Sequence, residues 1–194
     1  MSEYTTVNIL DMIDVIGEDN MKCVLSDFSC PKNEEIEHFV KKNAIDFAKR
    51  KMSVTHLVMN DKGNLAAIFT LTHKAVEISD DGLSSISRKK IKRYAQIDEK
   101  NHSYMVSAFL IAQFGKNYGV EIKETLDGNR LMENAMKVLE KVQRDVGGGI
   151  VYLECEDKPK LLSFYENDQN RFRVFDDRYS DVDSTKYIQL LRFF

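Results

Sequence analysis

Apolar positions along the chain fall into patterned runs separated by short polar turns. In "SCPKNEEIEHFVKKNAIDFAKRKM", Asn33 can cap a helix whose Ile36, Phe39, Val40, Ala44, Phe47 and Ala48 share one face. Glu34, Glu37, Lys41, Lys42 and Lys49 occupy much of the other face. "SVTHLVM" and "NLAAIFTLTHKAVEI" are apolar and β-branched, and "NDKG" between them tolerates positive φ, which predicts an antiparallel hairpin. The polar span "SDDGLSSISRKKIKRYAQIDEKNHS" holds a short helix around Ile86, Ile91 and Tyr94. "YMVSAFLIAQF" is long and apolar enough for a mid-sheet strand.

A helix follows from about Asn129 to Val146, with Leu131, Met132, Ala135, Val138, Leu139 and Val142 as its apolar stripe. Gly147 to Gly149 end it, because glycine accepts the left-handed conformation at a helix C-terminus. "IVYLEC" is the next strand, and Asp157 is expected to cap a helix with Pro159 in its first turn. "RFRVF" and "STKYIQLLRFF" close the chain as strands, so the end of the chain is expected to be docked. No repeat or low-complexity linker interrupts this order, which predicts one α+β domain over residues 1–194.

Composition narrows the classes. A hydrophobic content of 43%, with 11 Phe and 8 Tyr, can fill a core, while 30% charged residues suit a soluble surface. A net charge of -3 argues against a general binder of polyanions, which are held by clustered Lys and Arg. The dense basic run "RKKIKR", Arg88 to Arg93, reads as a solvated helix face without a catalytic role. No apolar run approaches the roughly 18 residues of a membrane helix. "MSEYTTVNILDMIDVIGEDN" has acids where a secretion signal is basic, so a cytoplasmic protein off the membrane is expected. Cys23, Cys30 and Cys155 are odd in number and widely spaced, which suits reduced thiols and neither a disulfide framework nor a metal site.

Candidate chemistry begins at Gly128. A helix starting there offers free backbone N–H groups and the positive end of its dipole to a phosphate. Gly128 permits close approach, Asn129 and Arg130 add donors, and Lys116 and Lys123 add charge upstream. Tyr165 lies on the helix after "IVYLEC", where packing is the ordinary use of a tyrosine. Glu154, Glu156 and Asp157 surround Cys155 with acids, and no base or cation nearby in sequence activates that thiol. His73 and His102 are isolated and suit packing and hydrogen bonding.

From about Asp27 to Phe194 the chain resembles the GCN5-related N-acetyltransferase (GNAT) superfamily, nearest to its toxin-like branch. The opening "DFSCPKNEEIEHFVKKNAIDFAKRKM" with its hairpin resembles that branch, and "FLIAQFGKNY" resembles the family's fourth strand. "LDGNRLMENAMKVLEK" resembles the cofactor helix, and "IVYLECEDKPKLLSFYENDQNRF" the fifth strand and the helix bearing the general-acid tyrosine. The family's glycine-rich phosphate loop is reduced here to "KETLDG", which keeps Gly128 alone.

The resemblance implies a mostly antiparallel central sheet, splayed between its fourth and fifth strands, with helices on both faces. Acetyl-CoA would lie in the split as co-substrate, with no metal. Its pantetheine arm would pair with backbone around Phe114 and Lys116. Its pyrophosphate would sit at Gly128, Asn129 and Arg130. Tyr165 would protonate the departing thiolate after direct attack by a primary amine, and Glu154 could assist the amine or attract it. The acceptor would be a small amine, a peptide or an aminoacyl-tRNA, the last disfavoured by net charge. The degraded loop favours a rival reading as a non-catalytic acyl-CoA-binding regulatory module. Phe193 and Phe194 leave a homodimer open.

Overall fold

A computed structural model describes residues 4–81, 83–119 and 126–194. In chain order the elements are β1 (Tyr4–Asn8), α1 (Ile9–Ile16), α2 (Glu18–Ser26), α3 (Glu34–Lys42), α4 (Ala44–Lys49), β2 (Val54–Asn60) and β3 (Leu65–Ser79). They continue with α5 (Ser85–Ile91), β4 (Ile97–Asp98), β5 (Ser103–Lys116), α6 (Gly128–Val146), β6 (Ile150–Glu156), α7 (Pro159–Glu166), β7 (Arg173–Ser180) and β8 (Thr185–Phe193). The strands hydrogen-bond in the order β1-β2-β3-β5-β6-β8-β7, with β4 beside β5. The pairs β1–β2, β2–β3, β4–β5, β6–β8 and β7–β8 are antiparallel, while β5–β6 is parallel. No helix among the described residues is long and apolar enough to cross a membrane.

The chain divides into two compact units, Met1–Thr72 with Ile111–Ala135, and His73–Leu110 with Met136–Phe194. In the first, the β2–β3 hairpin follows its sequence signals. Asn60 Oδ1 accepts from the N–H groups of Lys62 and Asn64, and Gly63 takes φ 77. Leu65 to Leu71 are buried without interruption, which explains their continuous apolar run. Asn33 caps α3 as expected, accepting from Ile36 N–H at 3.1 Å. The expected single helix, however, breaks at Asn43 into α3 and α4, which lets Phe39 and Phe47 meet edge to face at 5.5 Å. The N-terminal β1, α1 and α2 complete this unit: Ile9, Met21 and Leu25 are buried with Phe28, Val40 and Leu57.

In the second unit, α5 places Ile91 against Val76, Ile78, Tyr104, Ile150 and Leu191. Gly147, at φ 80, ends α6 by donating to Gln143 C=O at 2.7 Å. The α6 stripe departs from expectation near its end, where Met136 and Leu139 are buried and Val142 is exposed. Asp157 does not cap α7: Lys158 holds that position without a side-chain bond, and Asp157 faces Lys186 at 3.7 Å. Pro159 is the first helical residue, where its missing N–H costs nothing. The end of the chain is docked, with Phe194 N–H donating to Gly149 C=O.

Candidate active site

Tyr165 lies on α7, which β6 delivers through the corner Asp157–Lys158. It is buried at 8% exposure, against the ring of Phe164 at 4.9 Å and the fully buried ring of Phe172 at 6.0 Å. The chain turns sharply after α7, and the turn is held by two asparagines. Asn167 Oδ1 accepts from the N–H groups of Gln169 and Asn170. The buried Asn170 returns Nδ2 to Phe164 C=O at 2.7 Å. Phe172 N–H then donates to Tyr165 C=O at 3.0 Å, which fixes the α7 residue to the start of β7. Neither asparagine stood out in the sequence, because their bonds depend on a turn that only the packed chain makes.

Burial is the main influence on the Tyr165 phenol and pushes its pKa upward, with Cys155 adding to the same effect. The group is therefore a protonated hydroxyl at neutral pH. Cys155 is itself buried, and burial first, then Asp157, Glu156 and Glu166, push its thiol up to about 12. A protonated thiol in that setting is not a nucleophile.

Glu154 has a different use from the one expected of an assisting base. It accepts a forked pair of bonds from Arg178, with Nη2 at 2.6 Å and Nε at 2.9 Å. It also takes the Tyr152 hydroxyl and Gln189 Nε2, the latter at 3.0 Å, with Lys74 Nζ at 3.8 Å. Burial would raise its pKa, yet the bonds from Arg178, Tyr152 and Gln189 and the charge of Lys74 outweigh it and hold the carboxyl at about 2. Such a carboxylate is too weak a base to take a proton from an amine. The other acids beside Cys155 are also paired, Glu156 with Lys158 and Asp157 with Lys186. The histidines that drew notice, His73 and His102, are exposed rather than packed. His56 is the buried one, stacked on Phe69 at 5.0 Å.

The other candidate residues belong to the first unit. Phe114 and Lys116 stand two apart near the end of β5, so they share a face of the strand. Gly115 between them is buried, and a Cβ there would come within 3.0 Å of Ile36 on α3. The strand exit is anchored by Asn117, which accepts at Oδ1 from Ser29 and Gly119 N–H and donates from Nδ2 to Leu65 C=O at 2.8 Å. Its own N–H donates to Ala66 C=O. Gly128 opens α6 as expected, followed by Asn129 and Arg130. Asp127 accepts at Oδ2 from Arg130 N–H at 3.4 Å, and the Arg130 guanidinium lies 5.2 Å over the Tyr4 ring. Lys123 lies outside the described residues. The pairing of β5 with β6 is registered at Phe109↔Val151 and Leu110↔Tyr152.

No protein-family model matches the chain, and no curated protein matches it in sequence. Solved structures do match in shape. The toxin AtaT in complex with acetyl-methionyl-tRNAfMet matches with TM-score 0.65 and 13% identity, over 95% of this chain and 94% of that one. A tyrosine-to-phenylalanine mutant of KacT gives TM-score 0.66 and 16% identity, over 98% and 95% of the two chains. AtaTR bound with acetyl-CoA gives 0.60 and 14%, over 98% and 93%. The fold is thus the mixed, mostly antiparallel α+β arrangement of the GNAT-fold toxins.

Proposed function

We propose that the protein is an acetyl-CoA-dependent N-acetyltransferase whose acceptor is the α-amine of an aminoacyl-tRNA. The observation that carries the reading is Tyr165: a buried, neutral phenol on the helix after β6, able to supply the proton that a departing thiolate takes up. The amine would attack the thioester carbonyl, forming C–N as C–S breaks, and the thiolate would take the Tyr165 proton. The Tyr165 oxygen would recover a proton from the ammonium formed by attack, directly or through water. Backbone on β5 at Phe114 and Lys116 would pair with pantetheine, and the α6 start at Gly128, Asn129 and Arg130 would meet the pyrophosphate.

The acids near Cys155 support this choice of acceptor. With Glu154, Glu156 and Asp157 each paired with a cation, an amine that is more often neutral at neutral pH is the better acceptor. An α-amine, with a pKa near about 8, is roughly a tenth neutral at pH 7, whereas a lysine or polyamine nitrogen near about 10.4 is roughly two hundredfold less so. That difference favours an aminoacyl group over a small polyamine, in keeping with the acetyl-methionyl-tRNAfMet in complex with AtaT.

Acetyl-CoA at 100 times its dissociation constant should stabilise the protein by about 2.7 kcal/mol. Calorimetry with acetyl-CoA and with free adenosine checks this, and an unmoved unfolding temperature with acetyl-CoA would remove the cofactor from the account. Asp127 puts a carboxylate at the α6 N-terminus, where it competes with a phosphate for the dipole. Asp127→Asn keeps a good cap and removes the charge, so acetyl-CoA should bind about threefold more tightly. Unchanged or weaker binding by titration calorimetry would place the pyrophosphate elsewhere.

A further inference from the structure

The second unit contains a cleft of about 560 Å³ that the proposed transfer reaction does not use. It is lined by α5 with its preceding turn, by the start of β7 and by the end of β8. A volume of this size is in the range that accommodates specific ligands. Its walls are apolar, with Ile86, Phe175 and Phe193 among them, and Ile86 is 70% exposed. Among the described residues, three cationic ones line it, Lys90, Arg171 and Arg173, and no acidic one does. Lys90 Nζ stands 5.1 Å over the Phe193 ring, which places a charge beside an aromatic wall. Arg173 donates to the C=O groups of Glu166 and Phe172, both uncharged acceptors, so its positive charge is oriented but not neutralised by them.

The backbone adds a second element of recognition. β7 ends the strand order, so one of its edges has no partner strand among the described residues. Its register with β8 is irregular between Val174 and Asp176, around the cleft residue Phe175. An extended segment could therefore hydrogen-bond along β7 while alternate side chains enter the cleft. Apolar walls rimmed by cations suit carboxylates interleaved with apolar anchors. They suit a nucleic acid less well, since phosphate contacts need clustered cations and gain little from aliphatic walls. Within the basic run itself, Arg88 is already paired with Asp80 at 2.6 Å and Ile91 is buried.

We propose that this cleft docks an acidic, extended peptide segment of a partner protein. Its apolar anchor packs on Ile86, Phe175 and Phe193, and its carboxylates meet Lys90, Arg171 and Arg173. The same corner carries Phe172, whose ring packs on Tyr165, so the docked segment lies one residue from a wall of the candidate active site.

Fluorescence anisotropy of the full chain with a labelled peptide alternating glutamate with leucine tests the proposal. That peptide should bind, and added salt should weaken it. Replacing its leucines by serine should weaken binding about tenfold, as should the double variant Lys90→Glu, Arg171→Glu. Both side chains are exposed, so the variant's thermal unfolding should match the parent and separates lost docking from lost folding. Absence of binding, binding indifferent to the charge reversal, or tighter binding of labelled oligouridylate would each overturn the assignment. Acetyl-CoA binding by the same variant should be unchanged, so failure here leaves the transferase reading standing.

Discussion

Tyr165→Phe should lower turnover by about 10²–10⁴-fold while leaving acetyl-CoA affinity unchanged. The substitution removes one oxygen and keeps the ring against Phe164 and Phe172, so the fold should survive it. Its selectivity is the informative part: a packing residue would alter unfolding temperature, whereas a proton donor alters the rate alone. Burial also sets the pH dependence. Because the phenol's pKa is raised, the alkaline limb of the turnover profile should fall above the ordinary tyrosine value of about 10, not below it. Turnover within threefold of the parent would remove Tyr165 from the reaction.

Glu154→Ala should have its largest effect on stability. The carboxyl is 16% exposed and its pKa falls from 4.5 to about 2, a difference worth about 3 kcal/mol. Because the folded pKa is depressed, that stabilisation is fully present above pH about 4.5 and is lost as pH falls toward 2. The variant should unfold about 5–10 °C lower at pH 7, with the gap to the parent closing as the pH drops through that window. Turnover of the folded variant should change by less than about threefold. A hundredfold loss of turnover with unchanged stability would instead make Glu154 a base.

Much of this arrangement is legible in local sequence. The "NDKG" turn, the Asn33 cap and the glycines after α6 depend on neighbours a few residues away, and each forms where its chemistry predicts. What escaped depends on distant partners. Glu154 and Arg178 are 24 positions apart, and nothing local shows that β8 lies between β6 and β7 to bring them within reach. Asn117 bonds across 88 positions to Ser29. The break at Asn43 keeps an unbroken apolar period, so periodicity alone merges α3 with α4. The strand β1 is visible only as a partner of β2, since Tyr4 to Asn8 alternate weakly. For the candidate site, the helix start at Gly128 and the position of Tyr165 on α7 followed from local pattern together with family resemblance. The pairing of the acids around Cys155 did not.

The most direct test is transfer itself. The protein, acetyl-CoA and a purified aminoacyl-tRNA are incubated together, and the amino acid released by mild alkali is weighed by mass spectrometry. An N-acetyl amino acid should form in step with free coenzyme A thiol, and none with Tyr165→Phe on the same timescale. Thiol release with a polyamine but not with any aminoacyl-tRNA, or the same yield from both proteins, would contradict it.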